Sequence, residues 1–254
     1  MSNLRFYSSE KLRVGGVVKL SDNAAIHAAK VMRLGVGDKL VLFDGSGVDF
    51  ECELLSVQKS ATSAQVLSAK EISKESPLNI TLLLGISAGD RMDIGIQKAV
   101  ELGVNQIVPI KTERSVVRLD DDKAKKRVAH WQNVVIAACE QSGRAKIPTV
   151  YAPESLSAWL QASIHAAHSG GDLISAAKTR ILLNPIGAKK LSELEKPKGE
   201  IQLLIGAEGG LSDKEIALAI SQGFQSIVLG ARILRTETAP LAAIAAMQTI
   251  WGDF

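Results

Sequence analysis

Glu208, Arg235 and Glu237 sit in two short stretches built to expose backbone. The first is Leu203-Leu204-Ile205-Gly206-Ala207-Glu208-Gly209-Gly210-Leu211-Ser212-Asp213-Lys214-Glu215. It opens as an apolar run, breaks into glycines around one carboxylate, and closes on Ser212-x-x-Glu215, the spacing of a capping box. The second follows Ile227-Val228-Leu229-Gly230 and reads Ala231-Arg232-Ile233-Leu234-Arg235-Thr236-Glu237-Thr238-Ala239. Gly206, Gly209, Gly210 and Gly230 would let a ligand reach the main chain. Main-chain N–H and C=O groups can then read the edge of a flat heterocycle such as adenine, with Leu204, Leu229, Ile233 and Leu234 as apolar walls. Arg235, Thr236 and Glu237 add a cation, a hydroxyl and a carboxylate beside the same pocket, and Glu208 adds a second carboxylate. The blander reading is two ordinary loops with Ser212 and Thr238 as helix caps. It is accepted for the caps; for Glu208, Arg235 and Glu237 a functional role is favoured, because rigid scaffolds carry function on their loops.

Other chemistries find no support. No G-x-x-x-x-G-K-[ST] phosphate loop occurs, and Gly85-Ile86-Ser87-Ala88-Gly89 is the nearest approach to G-x-G-x-x-G and fails it. Four scattered histidines make no Ser-His-Asp or Cys-His set. His165 and His168 lack the carboxylate or cysteine pattern of a metal site, so no metal is expected. Cys52 and Cys139 are far apart and read as small buried hydrophobes in a reducing compartment.

The two loops need strands and helices to hold them. Ile80–Ile86, Gln106–Ile110, Arg180–Pro185, Ile201–Ile205 and Ile227–Leu229 read as strands alternating with helices, the pattern of an α/β fold with a mostly parallel sheet. Asp90 is placed to cap a helix that buries Met92, Ile96, Ala99 and Val100 and stops at Gly103. A helix over about Lys123–Gln141 buries Val128, Trp131, Val135, Ala138 and Cys139. Another over Glu154–Ala167 buries Leu156, Trp159, Leu160 and Ile164, and residues 168–179 read as a flexible loop. The last helix, from Ala239 to Trp251, is apolar nearly all round and must be buried on most sides. Pro109 argues for a strand end or an edge. Before all this, residues 1 to about 70 read as a β-rich module, with strands at Lys39–Phe43, Phe50–Leu54 and Ser63–Leu67 and a short helix between Ser21 and Leu34. His27, Lys30 and Arg33 share one edge of that helix at i, i+3, i+6, either as a solvated face or as a phosphate-contacting edge. The charged stretch 68–79, ending at Pro77-Leu78-Asn79, is the linker candidate.

The chain of 254 residues is 46% hydrophobic and 22% charged, ordinary globular proportions that can bury a core without cross-links. No run reaches signal-peptide or membrane-span length, so a soluble, cytoplasmic protein with no membrane partner is expected. The net charge is +3. Residues 111–146 hold nine Lys/Arg against five acids, leaving +4, more than the excess of the whole protein. That asymmetry tilts the reading toward an RNA-facing surface.

The two loops resemble the signature loops of the RsmE family, the 16S ribosomal RNA uridine-N3 methyltransferases of the SPOUT superfamily. Arg91-Met92-Asp93 through Gln97-Lys98-Ala99-Val100-Glu101-Leu102-Gly103-Val104 is similar to the family's first helix. Glu113-Arg114-Ser115 and Ala137-Ala138-Cys139-Glu140-Gln141-Ser142-Gly143-Arg144 are similar to its central blocks, and Val31-Met32-Arg33-Leu34 with Gly37-Asp38 to its amino-terminal part. The family usually has a proline where this chain has Ala207, and often a lysine where it has Ala88. The loop at 168–179 looks like a lineage insertion. The resemblance implies a PUA-like RNA-binding β-barrel over residues 1–72 and a trefoil-knotted SPOUT domain over 73–254. It implies a homodimer acting on 16S ribosomal RNA within the small ribosomal subunit, with S-adenosyl-L-methionine bound by Leu204, Gly206, Glu208, Gly210, Leu229, Gly230, Ile233, Leu234, Thr236 and Ala239. Arginine cannot serve as a base, so Arg235 is assigned to the uracil oxygens or a phosphate. Glu237 or Glu208 is then the candidate proton acceptor. Arg5, Lys30, Arg33, Arg91, Arg114 and Arg144 are the candidates for RNA contact. A ribose-2′-O methyltransferase and a non-catalytic ribosome-assembly RNA-binding protein are the alternatives.

Overall fold

The computed structural model describes residues 4–58, 62–168, 178–184 and 188–254, with only the helical backbone for 163–168. The expected loop thus lies for the most part outside the described residues, and so do the side chains of Ile164, His165 and His168. The chain forms two compact units, one of Met1–Glu75 with Ile136–Ile147 and the other of Ser76–Val135 with Pro148–Phe254.

In the first unit β1 (Arg5–Tyr7), β2 (Val17–Lys19), α1 (Asp22–Ile26), β3 (Lys39–Phe43), β4 (Val48–Ser56) and β5 (Ser63–Glu71) follow in sequence. The strands form a five-stranded mixed sheet in the order β1-β3-β4-β5-β2. Alternation in β4 explains its core: Phe50, Cys52 and Leu54 are buried while Asp49, Glu51 and Glu53 are only half-covered. They pack with Phe6, Leu40, Leu42 and Val66. Two expectations change here. The helix after Ser21 is α-helical only to Ile26 and continues as a π-helical turn over His27–Val31. The Met32 N–H reaches the His27 carbonyl, and Arg33 turns into the left-handed region at φ 54°. Lys30 and Arg33 therefore do not share a regular helical edge with His27, whose ring packs edge-on against Phe6. The linker also begins later than 68, because Ser68–Glu71 pair with β4.

The return of Ile136–Ile147 to this unit is held by buried charge. Arg5 pairs with Asp49, donates to the Cys139 carbonyl at 3.0 Å and lies 4.5 Å over the Phe43 ring. Arg144 pairs with Glu75 at 2.6 Å, and the Tyr7 N–H donates to Glu140. The side chains of Arg5 and Arg144 are 9% and 4% exposed, so these two arginines, expected at an RNA-facing surface, brace the unit's interior. Cys139 and Cys52 are buried as expected, and burial pushes their thiols up to about 12 and about 11.

The second unit runs β6 (Asn79–Gly85), α2 (Asp90–Glu101), β7 (Gln106–Lys111), α3 (Asp121–Ser142), β8 (Thr149–Val150), β9 (Glu154–Ser155), α4 (Leu156–His168), β10 (Thr179–Leu183), β11 (Lys189–Lys190), β12 (Glu200–Ile205), α5 (Asp213–Ser221), β13 (Gln225–Val228) and α6 (Thr238–Trp251). The last seven residues of α3 are counted with the first unit. The sheet order is β11-β13-β10-β12-β6-β7-β8, with β9 also on β7, and every described pair is parallel. The middle strands β6 and β12 are buried along nearly their whole length, as both-face coverage requires. Leu83, Leu204 and Val108 pack with Leu156 and Leu160 of α4 and Ala219 of α5. On α2, Gly95 approaches Leu84 and Pro240 of α6. A row of polar residues crosses the sheet in register: Arg180 opposite Gln202, Gln202 opposite Thr81, Thr81 opposite Gln106. Arg180 donates to Gln202, and both Thr81 and Gln202 donate to the same Glu200 oxygen.

Three local expectations are corrected. Gly89, with φ 61°, is the N-cap of α2, and Asp90 is its first helical residue. Thr238 is not a side-chain cap, since Glu237 precedes α6 and the Thr238 N–H donates to the Arg235 carbonyl. Pro109 neither ends β7 nor lies on an open edge: it pairs with Leu84 on one side and falls on the other between the short partners β8 and β9, where no N–H is required.

Removing one partner of a buried ion pair strands the other charge. Arg144→Ala is expected to lower stability by about 3 kcal/mol, read as a shift in urea midpoint, and Glu75→Gln in the same background should recover part of that loss.

Candidate active site

The strands β10, β12 and β13 of the second unit end at one cavity of about 750 Å³. Ligands gather at the carboxyl ends of strands in open α/β sheets, and here three such ends form the walls. Leu182, Leu183 and Asn184 come from the end of β10, Ile205–Leu211 from that of β12, and Ile227–Gly230 with Arg232–Glu237 from that of β13. The lining is mainly apolar, with charged groups at its border.

Main chain meets main chain beneath this cavity. A Cβ on Gly85 would fall 2.2 Å from the Ala207 nitrogen and 2.6 Å from the Gly206 carbonyl carbon. On Gly209 it would lie 2.8 Å from the Arg114 carbonyl oxygen, and on Gly206 2.8 Å from the Gly210 carbonyl carbon. These glycines are therefore steric necessities of the crossing loops. Hydroxyls complete the contact. Ser87 and Thr236 are hydrogen-bonded at 2.9 Å, and Ser115 donates to the Ile86 carbonyl at 2.7 Å. The capping box forms as expected: the Ser212 side chain accepts from Glu215 N–H, and Glu215 accepts from Ser212 N–H. The other Glu215 oxygen accepts from Glu113 N–H at 3.0 Å, tying the loop after β7 to the start of α5. Arg114 donates to the Leu211 carbonyl and lies 3.6 Å from Asp213.

The charged groups divide into engaged and open. Glu208 accepts from the Ala88 N–H at 2.9 Å and from Arg91 Nη1 at 3.2 Å. Arg91 Nε also lies 3.9 Å from Glu237 Oε2, an oxygen that is buried and lacks a hydrogen-bond partner among the described residues. Arg235 is exposed.

Gly206, Glu208, Gly210, Leu229, Gly230, Ile233, Leu234, Arg235, Thr236, Glu237 and Ala239 all border this cavity, with Arg91 and Arg114. Leu204 does not. It is fully buried among Leu83, Leu182 and Phe224, because strand alternation turns it into the core and leaves Ile205 as the wall. Lys30 and Arg33 are exposed on the first unit. Sequence reasoning missed Asn184 and Arg232 at the border. Asn184 could have been found by extending the strand-end rule to β10, and Arg232 lay inside a stretch already marked. No group of metal-ligating side chains occurs among the described residues.

A parallel sheet with glycine-walled loops at its strand ends, on one chain with a small mixed sheet, places the protein in a recognisable class. Residues 74–248 match the model of an RNA methyltransferase domain and residues 20–67 that of an RNA methyltransferase PUA domain. Ribosomal RNA small subunit methyltransferase E from Buchnera aphidicola is 36% identical over 249 residues, covering 98% of this chain and 97% of its own. Its namesake from Bacillus subtilis is 35% identical over 222 residues, covering 87% and 85%. Among solved structures, ribosomal RNA small subunit methyltransferase E from Neisseria gonorrhoeae bound to S-adenosyl methionine is 43% identical, with a TM-score of 0.87 and 99% of each chain covered. A Legionella pneumophila protein solved with the bound cofactor SAM is 34% identical, with a TM-score of 0.90 over the full length of both chains. The fold and the matched models thus define an RNA methyltransferase. Within that class, the chain belongs to the ribosomal RNA small subunit methyltransferase E family.

A methyl group at Gly85 cannot fit without moving the backbone of the loop after β12. Gly85→Ala is expected to cost about 2 kcal/mol as overpacking does. Urea unfolding measures this, and an unchanged midpoint would contradict the close approach.

Proposed function

We propose that this protein transfers a methyl group from S-adenosyl-L-methionine to N3 of a uridine in 16S ribosomal RNA. The observation that carries the reading is the cavity at the strand ends, apolar in its walls and bordered by both carboxylates and Arg235. The residues fit the cofactor. Apolar side chains such as Ile205, Leu229 and Leu234 would cover the adenine, and Gly206 and Gly230 leave main chain open to its edge. The Glu208 carboxylate at the border suits its positive charges. When bound, the cofactor supplies an electrophilic methyl carbon on a sulfonium.

The chain's own residues must manage the proton on N3, because that nitrogen has no free lone pair while protonated. Arg235 can lie against the uracil oxygens and offset the charge that develops there. A carboxylate, Glu237 or Glu208, takes the proton. Holding the base still beside the cavity contributes as well. Residues 1–72 form the RNA-presenting module in this reading, with Lys30 and Arg33 available at its surface, and residues 73–254 the transfer domain. The trefoil threading implied by the family resemblance accords with the glycine contacts between the loops after β6 and β12. Among the described residues no helix is long and apolar enough to cross a membrane, in keeping with a cytoplasmic enzyme acting on the small ribosomal subunit. A homodimer is supported by α6, which keeps Leu241, Ala242, Ala245 and Ala246 half-covered and Ile250 45% exposed.

Mass spectrometry of nucleosides from small-subunit RNA methylated by the purified protein should show 3-methyluridine; a ribose-methylated nucleoside would overturn the assignment. In a tritiated-methyl transfer assay, Arg235→Ala is expected to lower turnover about 100-fold or more while calorimetry finds cofactor affinity little changed. Ile250→Glu should shift the protein from dimer to monomer in light scattering.

A further inference from the structure

We propose that Arg91 is a positioning residue that locks Glu208 in place and leaves Glu237 as the group that takes the N3 proton. This rests on the reading above, methyl transfer to uridine N3, and distinguishes between its two candidate acceptors.

Anchoring separates the carboxylates: Glu208 is tied to a backbone N–H of another loop, whereas Glu237 faces only the longer Arg91 contact. Glu208 Oε1 already receives two donors, the Ala88 N–H and Arg91 Nη1. It also stands at the amino end of α2, where the helix favours a fixed anion. Glu208 is thus a brace joining the loop after β12 to the start of α2. Glu237 Oε2 is buried and accepts no hydrogen bond, and its nearest cation is Arg91 Nε at 3.9 Å. That separation is too long for a hydrogen bond, yet short enough to orient the carboxylate by charge. One guanidinium therefore holds one carboxylate through a bond and aims the other without occupying its lone pairs. A buried acceptor oxygen without a partner is costly, and the partly exposed carboxylate that carries it borders the cavity where an imide N–H would enter. The charged groups that border the cavity with Glu237 are Arg91 from α2, Arg114 from the loop after β7, Glu208 from the loop after β12, Asp213 from α5, and Arg232 and Arg235 from its own loop.

The step balances. As the N3–H bond breaks, its proton passes to the Glu237 carboxylate and its electron pair forms the bond to the methyl carbon. The carbon–sulfur pair stays with sulfur, which leaves as a neutral thioether. The neutral carboxyl of Glu237 then returns the proton to solvent.

The test assays the full-length wild type and four variants on small ribosomal subunits lacking the modification, across pH, with S-adenosylmethionine binding measured by calorimetry. Glu237→Gln should lower kcat by about 100-fold or more, remove the acidic limb of the kcat profile and leave cofactor binding unchanged. Glu208→Gln should lose about tenfold, as expected of a lost orienting contact, and keep the limb. Arg91→Ala should lower kcat far more than it raises KM, and Arg91→Lys should restore part of it. An acidic limb that survives Glu237→Gln or disappears in Glu208→Gln overturns the inference, as does Arg91→Lys no better than Arg91→Ala. A wild-type protein that places no methyl on N3 overturns the function itself and the inference with it, and the wild-type assay alone identifies that outcome.

Discussion

The second unit depends on main chain packing directly against main chain where β6 and β12 end. Gly85, Gly206 and Gly209 leave no room for a Cβ, so the loops after β6, β7 and β12 are fixed against one another through their backbones. Backbone contact is short and stiff, and it carries no rotamers to adjust. The walls of the cavity inherit that stiffness. The capping box at Ser212 and Glu215 extends it, because the same carboxylate that closes α5 also accepts the Glu113 N–H.

Electrostatics then work on a rigid frame. Arg91 stands in the first turn of α2, and its guanidinium reaches carboxylates from two different loops. In a mobile site such a pair would collapse into the shortest salt bridges. Here the frame sets one contact at hydrogen-bond length and keeps the other longer. Partly exposed ion pairs of this kind contribute little to stability, so their value lies in placement. The buried pairs of the first unit differ: Arg5 and Arg144 are spent on holding Ile136–Ile147 against the mixed sheet.

Much of the frame was legible in the sequence. Continuous apolar runs marked β6 and β12, strict alternation marked β4, and the Ser212-x-x-Glu215 spacing marked the start of α5. The glycine-flanked carboxylate and the Arg235-Thr236-Glu237 run marked residues that the structure gathers around one cavity. Local pattern could not show partners distant in sequence. Arg5 and Arg144 look like surface cations until Asp49 and Glu75 are seen beside them. Leu204 looks like a wall until the pleat decides which of two adjacent residues faces inward. The π-helical turn after Ile26 was illegible because a helix-period pattern says nothing about one wider turn, and that turn together with the left-handed backbone of Arg33 moves Arg33 off the expected edge.

The membership of Ile136–Ile147 in the first unit bears on how the chain acquires its structure during synthesis. The five strands of that unit are all complete by Glu71, yet the segment that buries Arg5 and supplies Arg144 to Glu75 is made only after β6, α2, β7 and most of α3. The amino-terminal module therefore cannot finish folding as an independent first domain while the chain emerges. Its buried arginines must wait for a distant segment, a pairing of high sequence separation that slows folding. Vectorial synthesis thus couples the two units, since completing the first requires that the second be already well under way.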